Sequence, residues 1–286
     1  MTRVLNLILC ISITACGGTE TPDPKDVTDV GSTSFDVVTN PHADRPGFEE
    51  FTHYVDMNGL GVYGEDGISE DKMRYVAAVF AELLDNDEDG QWDDPNIFAE
   101  LLKQEALMPI FAREGSKAEQ AFFENYDGDG VSAVLYNNEV DPSQPGHWGA
   151  DATVEETLHT INHVGHVSVY PAQFGLEPDS SLLSDAMDVA RGGQWRSFPD
   201  EYPEEAWYHY DDRTCDYECM AIEYIYWAIV SNMEILNDPE TCEGIANEWE
   251  LCSRELLKEG DVLVYSLITD PNQPLPQLAP DGIYAP

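Results

Sequence analysis

Basic residues are scarce in this chain of 286 residues, since Lys and Arg number 13 against 56 Asp and Glu, and the formal net charge at pH 7 is -43. A field of this sign repels nucleic acid and anionic lipid headgroups and attracts cations. We therefore exclude nucleic acid as a partner. Hydrophobic residues make up 42% of the chain, and aromatics are spread among the acidic residues. The composition therefore predicts a folded acidic protein and not a disordered acidic tail.

The apolar run at the N-terminus, residues 4–15, follows the basic Arg3 and is too short for a membrane-spanning helix. It is typical of a secretory signal. Its ending, Ile-Thr-Ala-Cys16, resembles the lipobox of bacterial lipoproteins, which implies that Cys16 is lipidated and becomes the mature N-terminus. The alternative is an ordinary signal peptide cut near Ala15. Both predict export, and acyl chains on Cys16 would anchor the protein to a membrane. Gly17 and Gly18 favour the outer membrane or cell surface, because they lack the acidic residue linked to inner-membrane retention.

Four segments are predicted along the chain. Residues 1–15 are the signal peptide, and residues 16–46, rich in Thr, Asp, Pro, Gly and Ser, are a lipid-anchored flexible tether. Residues 47–145 form a calcium-binding helical part, and residues 146–286 hold a metal site and disulfides in the same globular unit. We expect an α+β fold that is mostly helical. An EF-hand-like helix-loop-helix is followed by a short strand at residues 131–136, a metal-site helix and disulfide-braced C-terminal helices.

Cysteine is also scarce, with six in the chain. Four remain in the exported domain: Cys215, Cys219, Cys242 and Cys252. An even number in an oxidising compartment predicts two disulfides with three possible pairings. On a helix predicted at residues 215–236, Cys215 and Cys219 would lie one turn apart, where a mutual bridge is geometrically poor. We therefore favour pairing each of them with one of the two later cysteines.

Acidic residues alternate with other residues between two predicted helices, the first capped by Ser69 and the second by Asp94 with Pro95 at its first position. Helix, DxDxDG loop and helix together resemble an EF-hand, with Gly90 at the sharp turn. The resemblance implies five calcium ligands: Asp85, Asp87, Asp89, Gln91 through its carbonyl, and Asp93. The pattern departs from the family at the twelfth position, where Asn96 replaces a bidentate Glu, and this puts the affinity and any sensor-like opening in doubt.

A shorter copy of the loop motif follows, with Asn125, Asp127 and Asp129 as candidate ligands and Gly130 after them. A strand-like run at residues 131–136 stands where a second EF-hand helix would begin. Two interpretations stay open: a truncated calcium loop and a plain Asp-Gly turn.

Four of the seven histidines lie between His147 and His166. At about 100° per residue, Glu155, Glu156, His159 and His163 share one face of a helix. His159 and His163 have the i, i+4 spacing of zinc-binding helices. Gly165 predicts a left-handed helix end, so that His166 could turn toward the same face.

The two glutamates have a competing use at the start of this helix. If Thr153 caps the helix, Glu156 completes a capping box and is not available for catalysis. If Asp151 is the cap, Glu155 and Glu156 lie one turn inside and are available. The sequence leaves both open.

The segment resembles the active-site helix of zincin metallopeptidases, whose pattern is HExxH. In one register His159 and His163 match the ligands, and Thr160 stands in place of the catalytic Glu. In the other, Glu156 matches the general base and His159 a ligand, with Glu155 in place of the first His. The resemblance implies Glu156 as the catalytic residue and a set of zinc ligands: Glu155, His159, His163, His166 and a remote Glu223. Asp185, Asp188 and His209 are the alternatives to Glu223 as the remote ligand.

A zinc site of this kind would activate water for attack on a carbonyl. The expected function is a zinc-dependent hydrolase of peptide or ester bonds, acting on an external substrate. The alternative is a non-catalytic calcium-binding surface lipoprotein that binds a ligand through an aromatic segment with Trp207, Tyr208 and Tyr210.

Overall fold

The computed structural model describes residues 35–126 and 128–286. The predicted signal peptide, Cys16 and residues 17–34 of the tether lie outside the described residues, as does Asp127 of the second predicted calcium loop. Residues 35–46, assigned above to the tether, are described and include strand β1 (Val38–Thr39) and the buried Asn40. The amide of Asn40 donates to the carbonyls of Phe48 and Phe51, so these residues belong to the folded part.

A mixed sheet of five strands, in the order β1-β2-β3-β4-β5, organises the N-terminal half of the described chain. After β1 come β2 (Phe51–Met57), β3 (Leu60–Glu65), β4 (Leu107–Phe111) and β5 (Leu135–Tyr136). The first three strands pair antiparallel, and β3, β4 and β5 pair parallel. Asn58 and Gly59, both with positive φ, make the β2–β3 turn, as a tight hairpin requires. The strand expected at residues 131–136 is paired only over Leu135–Tyr136.

Helices fill the connections and the C-terminal half. In chain order they are α1 (Glu70–Leu84), α2 (Pro95–Lys103), α3 (Lys117–Asn125), α4 (Thr153–Thr160), a π-helical turn (Ile161–His166), α5 (Val167–Val169), α6 (Pro171–Phe174), α7 (Leu182–Ala190), α8 (Tyr217–Asn232), α9 (Pro239–Ile245), α10 (Arg254–Gly260) and α11 (Val262–Ile268), with a 3₁₀ turn at Asn137–Glu139. Ser69 and Asp94 cap α1 and α2 as predicted. The fold is therefore α+β, as expected.

The sheet separates two apolar clusters because neighbouring residues on a strand point to opposite faces. In β4, Met108 and Ile110 join the main core with α1, α4 and α8, while Leu107 and Phe111 join an aromatic cluster under α3. Helix α8 is buried on nearly its whole surface. Among the helices of the described chain, none has the length and apolar character needed to cross a bilayer.

The predicted disulfide pairing is wrong. Cys215 pairs with Cys219 and Cys242 with Cys252, with Cα atoms 5.4 Å and 5.5 Å apart. The prediction assumed that Cys215 and Cys219 lie on successive turns of one helix. Helix α8 instead begins at Tyr217, with Asp216 as its cap, so Cys215 lies on non-helical backbone and can approach Cys219.

The helix end predicted at Gly165 is also wrong. The helix continues as the π-helical turn and then α5. A Cβ on Gly165 would lie 2.8 Å from Cγ2 of Ile97 in α2. This glycine therefore allows the close approach of two helices and does not end one.

Candidate metal centre

Helix α4 begins at a different residue from either of the two predicted starts. The N-cap is Ala152, without a side-chain cap, and Thr153 is the first helical residue. The Thr153 hydroxyl donates to Oδ1 of Asp151 at 2.7 Å. Oδ2 of Asp151 accepts from the Tyr75 hydroxyl and the Gly146 amide. Neither predicted cap is formed, and Glu155 and Glu156 lie inside the helix.

Glu155 and His159 on α4 meet Glu223 on α8, and each offers a ligand atom within 4.8 Å of the other two. Nε2 of His159 lies 3.6 Å from Oε2 of Glu223, and the two side chains are 7% and 8% exposed. This nitrogen is buried and has no hydrogen-bond partner. Burial of so polar an atom is costly unless a ligand takes it, and an imidazole nitrogen among carboxylate oxygens is the donor set of a divalent metal.

Further carboxylates and a phenol surround the three residues. Nδ1 of His159 lies 3.4 Å from Oε2 of Glu156, and the Tyr210 hydroxyl donates to Oε1 of Glu223 at 3.2 Å. Burial alone would lower the pKa of His159, but the carboxylates of Glu223 and Glu156 outweigh it and hold the pKa well above the ordinary value. The site is therefore strongly cation-attracting.

The remaining predicted ligands lie outside this group of three. His163 is half-buried; burial and the nearby His159 lower its pKa, and its Nδ1 is buried without a partner. His166 packs edge-on against Phe174 and near Asp94, because the π-helical turn carries it toward α2.

The three residues considered as alternatives to Glu223 also have other neighbours. Asp185 is exposed, Asp188 accepts from the Tyr217 hydroxyl, and Nε2 of His209 contacts the Ala206 carbonyl at 2.6 Å.

The loop at residues 85–93 is the second place where ligand atoms converge within the described residues, with Asp85, Asp87 and Asp89 as the group. Its backbone already folds around Asp85, whose Oδ1 accepts from the Asp89 amide and Oδ2 from the Gly90 amide. Gly90 has a φ of +83°, the left-handed conformation of a sharp turn. Oδ2 of Asp93 accepts from the Asn86 amide at 3.0 Å, and Asn96 donates to Asp94.

The C-terminal segment lies on this loop. The Tyr284 hydroxyl donates to Oδ2 of Asp85, and the Ala285 amide donates to Glu88 at 2.9 Å. The Asn86 side chain bonds to the backbone of Gln277 and Leu278. The C-terminal tail therefore helps to hold the carboxylate of Asp85, the first residue of the loop, in place.

The second predicted calcium loop is less developed. Asn125 donates its side-chain amide to the Ala121 carbonyl, and Asp129 is exposed. A Cβ on Gly130 would lie 2.3 Å from the Glu105 carbonyl oxygen, so close backbone approach accounts for this glycine.

The aromatic segment does not form an exposed binding face. Tyr208 is fully buried and Tyr210 is 4% exposed, while Nε1 of Trp207 donates to buried Asp261 at 2.9 Å. Of these rings, Tyr210 reaches the candidate centre through its hydrogen bond to Glu223. The contact between Tyr210 and Glu223 was not predicted, and no local pattern reveals it, because the segment before α8 is irregular.

The chain matches no protein-family model, no curated protein and no solved structure.

Proposed function

We propose that Glu155, His159 and Glu223 bind zinc and that the protein is a zinc-dependent hydrolase of peptide or ester bonds. The observation that carries the proposal is the buried Nε2 of His159, which has no hydrogen-bond partner and lies 3.6 Å from Oε2 of Glu223, in a group with Glu155. Catalytic zinc sites have three protein ligands and a fourth position open to water or substrate, and this group would supply one His and two Glu as the three ligands.

When bound, zinc would polarise a substrate carbonyl and lower the pKa of water to about 7. Glu156, on the other nitrogen of His159, would accept a hydrogen bond from Nδ1–H and so leave Nε2 unprotonated as the ligand atom. This differs from the general-base role that the zincin resemblance implies for Glu156. His163, kept neutral by burial and by His159, is then the candidate to accept a proton during hydrolysis.

We also propose that the loop at residues 85–93 binds calcium, through Asp85, Asp87, Asp89, the Gln91 carbonyl and Asp93. Support comes from the convergence of the first three carboxylates and from the left-handed Gly90. Because Asn96 turns to Asp94, the role is structural and not that of a sensor. The calcium loop would stabilise an exported protein that is anchored through lipid on Cys16.

Metal analysis of the purified protein, with variants, tests the enzyme proposal. We expect about one zinc per chain, and we expect His159→Ala and Glu223→Gln to lose zinc together with hydrolysis of an unfolded protein or a model ester. The control is His147→Ala, because His147 is exposed and lies outside the group. Full zinc content in His159→Ala would contradict the site. Bound zinc without hydrolysis on either substrate class would contradict only the enzymatic role.

A further inference from the structure

Tyr210 and His159 contact different oxygens of the same carboxylate. The Tyr210 hydroxyl donates to Oε1 of Glu223 at 3.2 Å, while Oε2 lies 3.6 Å from Nε2 of His159. A carboxylate has two oxygens and can offer a metal one or both of them. Here one oxygen already has a donor, and the other is the one that meets the imidazole.

The surrounding structure holds this tyrosine in place. Tyr210 is 4% exposed, and its backbone carbonyl accepts from the Tyr202 hydroxyl at 2.9 Å. The preceding residue, His209, donates its amide to the Glu248 carbonyl at 2.7 Å. The backbone at Tyr210 is therefore held on both sides, and the burial of the side chain limits movement of its ring.

We propose that Tyr210 is a positioning residue that reserves Oε1 of Glu223, so that Glu223 presents only Oε2 to the metal. The inference rests on the proposed zinc site and deepens it. If Glu223 gave both oxygens, the second would fill the position that a catalytic site leaves to water or substrate. Hydrogen-bonded partners of metal-ligating carboxylates orient them in this way.

The chemistry of Tyr210 suits this task. The ordinary pKa of a tyrosine phenol is about 10. The hydroxyl therefore keeps its proton at neutral pH and acts as a donor. Phenylalanine at this position keeps the ring and its packing but leaves Oε1 without a donor.

The test is Tyr210→Phe in the full chain loaded with Co²⁺, whose visible absorption bands weaken as its coordination number rises. We expect the bands of Tyr210→Phe to be several-fold weaker than those of wild type, with about one metal still bound per chain. The matched control is Tyr217→Phe, because Tyr217 is equally buried but donates to Asp188 at 2.9 Å. Its spectrum should equal that of wild type.

A spectrum of Tyr210→Phe that matches wild type and Tyr217→Phe overturns the inference and leaves the zinc site standing. A wild-type protein that binds no metal overturns the proposed function as well, so the two failures are distinguishable. If Tyr210→Phe does not fold, the metal-loaded wild-type crystal structure decides. Glu223 bound through Oε2 with Oε1 on Tyr210 supports the inference, and Glu223 bound through both oxygens overturns it.

Discussion

The loop at residues 85–93 and the buried group of Glu155, His159 and Glu223 each bring three ligand side chains together, but by different means. In the loop, the acidic oxygens accept hydrogen bonds from amides of the same short stretch, as Asp85 does from Asp89 and Gly90. In the buried group, His159 and Glu223 come from helices α4 and α8, which are far apart in sequence. One arrangement is local, and the other depends on the packing of the core.

The difference has a physical consequence for the protein without metal. The loop carboxylates are exposed or already hydrogen-bonded, so backbone amides maintain the shape of the loop. In the buried group, Nε2 of His159 has no hydrogen-bond partner and faces a Glu223 side chain that is only 8% exposed, and a bound cation would offset the cost of burying these groups. We therefore expect the loop to be preformed and the buried centre to gain the most from its ion.

The largest expected effect is stabilisation by zinc, and it tests whether the buried group and the loop bind their ions independently. Zinc at 1,000 times its Kd should raise the free energy of unfolding by about 4 kcal/mol, because it binds only the folded state. His159→Ala should abolish this gain, whereas Asp87→Asn, in the loop, should leave it unchanged. Urea unfolding with and without zinc measures both.

Calcium gives the reciprocal control for this experiment. The stabilisation that calcium adds should disappear in Asp87→Asn and persist in His159→Ala. If either substitution removed both gains, the loop and the buried centre would have to be treated as one coupled unit.

The same contrast explains how much of the molecule could be predicted from its sequence. Helices α1 and α2 with their caps at Ser69 and Asp94 were predicted correctly, because capping and the DxDxDG spacing are encoded within a few residues. The α+β class followed from the same local patterns. Strand β4 was missed, since the short run Leu107–Phe111 is buried on both faces and carries no alternation.

The buried centre could be predicted only in part. Helical spacing placed Glu155 and His159 on one face, and Glu223 was a candidate among several acids. Its contact with α4 depends on how α4 and α8 pack, which no local pattern encodes. His166 was expected at the same site because Gly165 suggests a helix end. Gly165 instead lets Ile97 of α2 pack closely against the helix. This is a tertiary contact that the sequence does not reveal.

A smaller effect tests whether the loop is held by hydrogen bonds rather than by its ion. Asp85 is fully buried and accepts from the Asp89 and Gly90 amides and the Tyr284 hydroxyl. Asp85→Ala leaves these donors without an acceptor, so it should cost about 3 kcal/mol of unfolding free energy even in chelator. The control, Asp87→Ala, removes an exposed carboxylate and should cost well under that amount. Equal, small losses in calcium-free urea titrations would mean that the loop is not preformed.

The smallest expected effect concerns the C-terminal tail that lies on the loop. It is a change in how the free energy of unfolding depends on pH. Glu82 is 3% exposed, and its Oε2 accepts from the Asp281 and Gly282 amides. Burial raises its pKa to about 7 from 4.5. The folded state therefore binds a proton more tightly than the unfolded state, and stability should fall as pH rises from about 4.5 to about 7.

Glu82→Gln cannot ionise but can still accept hydrogen bonds from both amides, so it should remove on the order of 2 kcal/mol of this pH-dependent loss. Unfolding in chelator at pH 5 and pH 8 measures the effect, with Glu124→Gln, an exposed residue of α3, as control. If the unfolding free energy of Glu82→Gln changed with pH as much as that of wild type, the Glu82 carboxyl would titrate normally and the tail would not shield it from water.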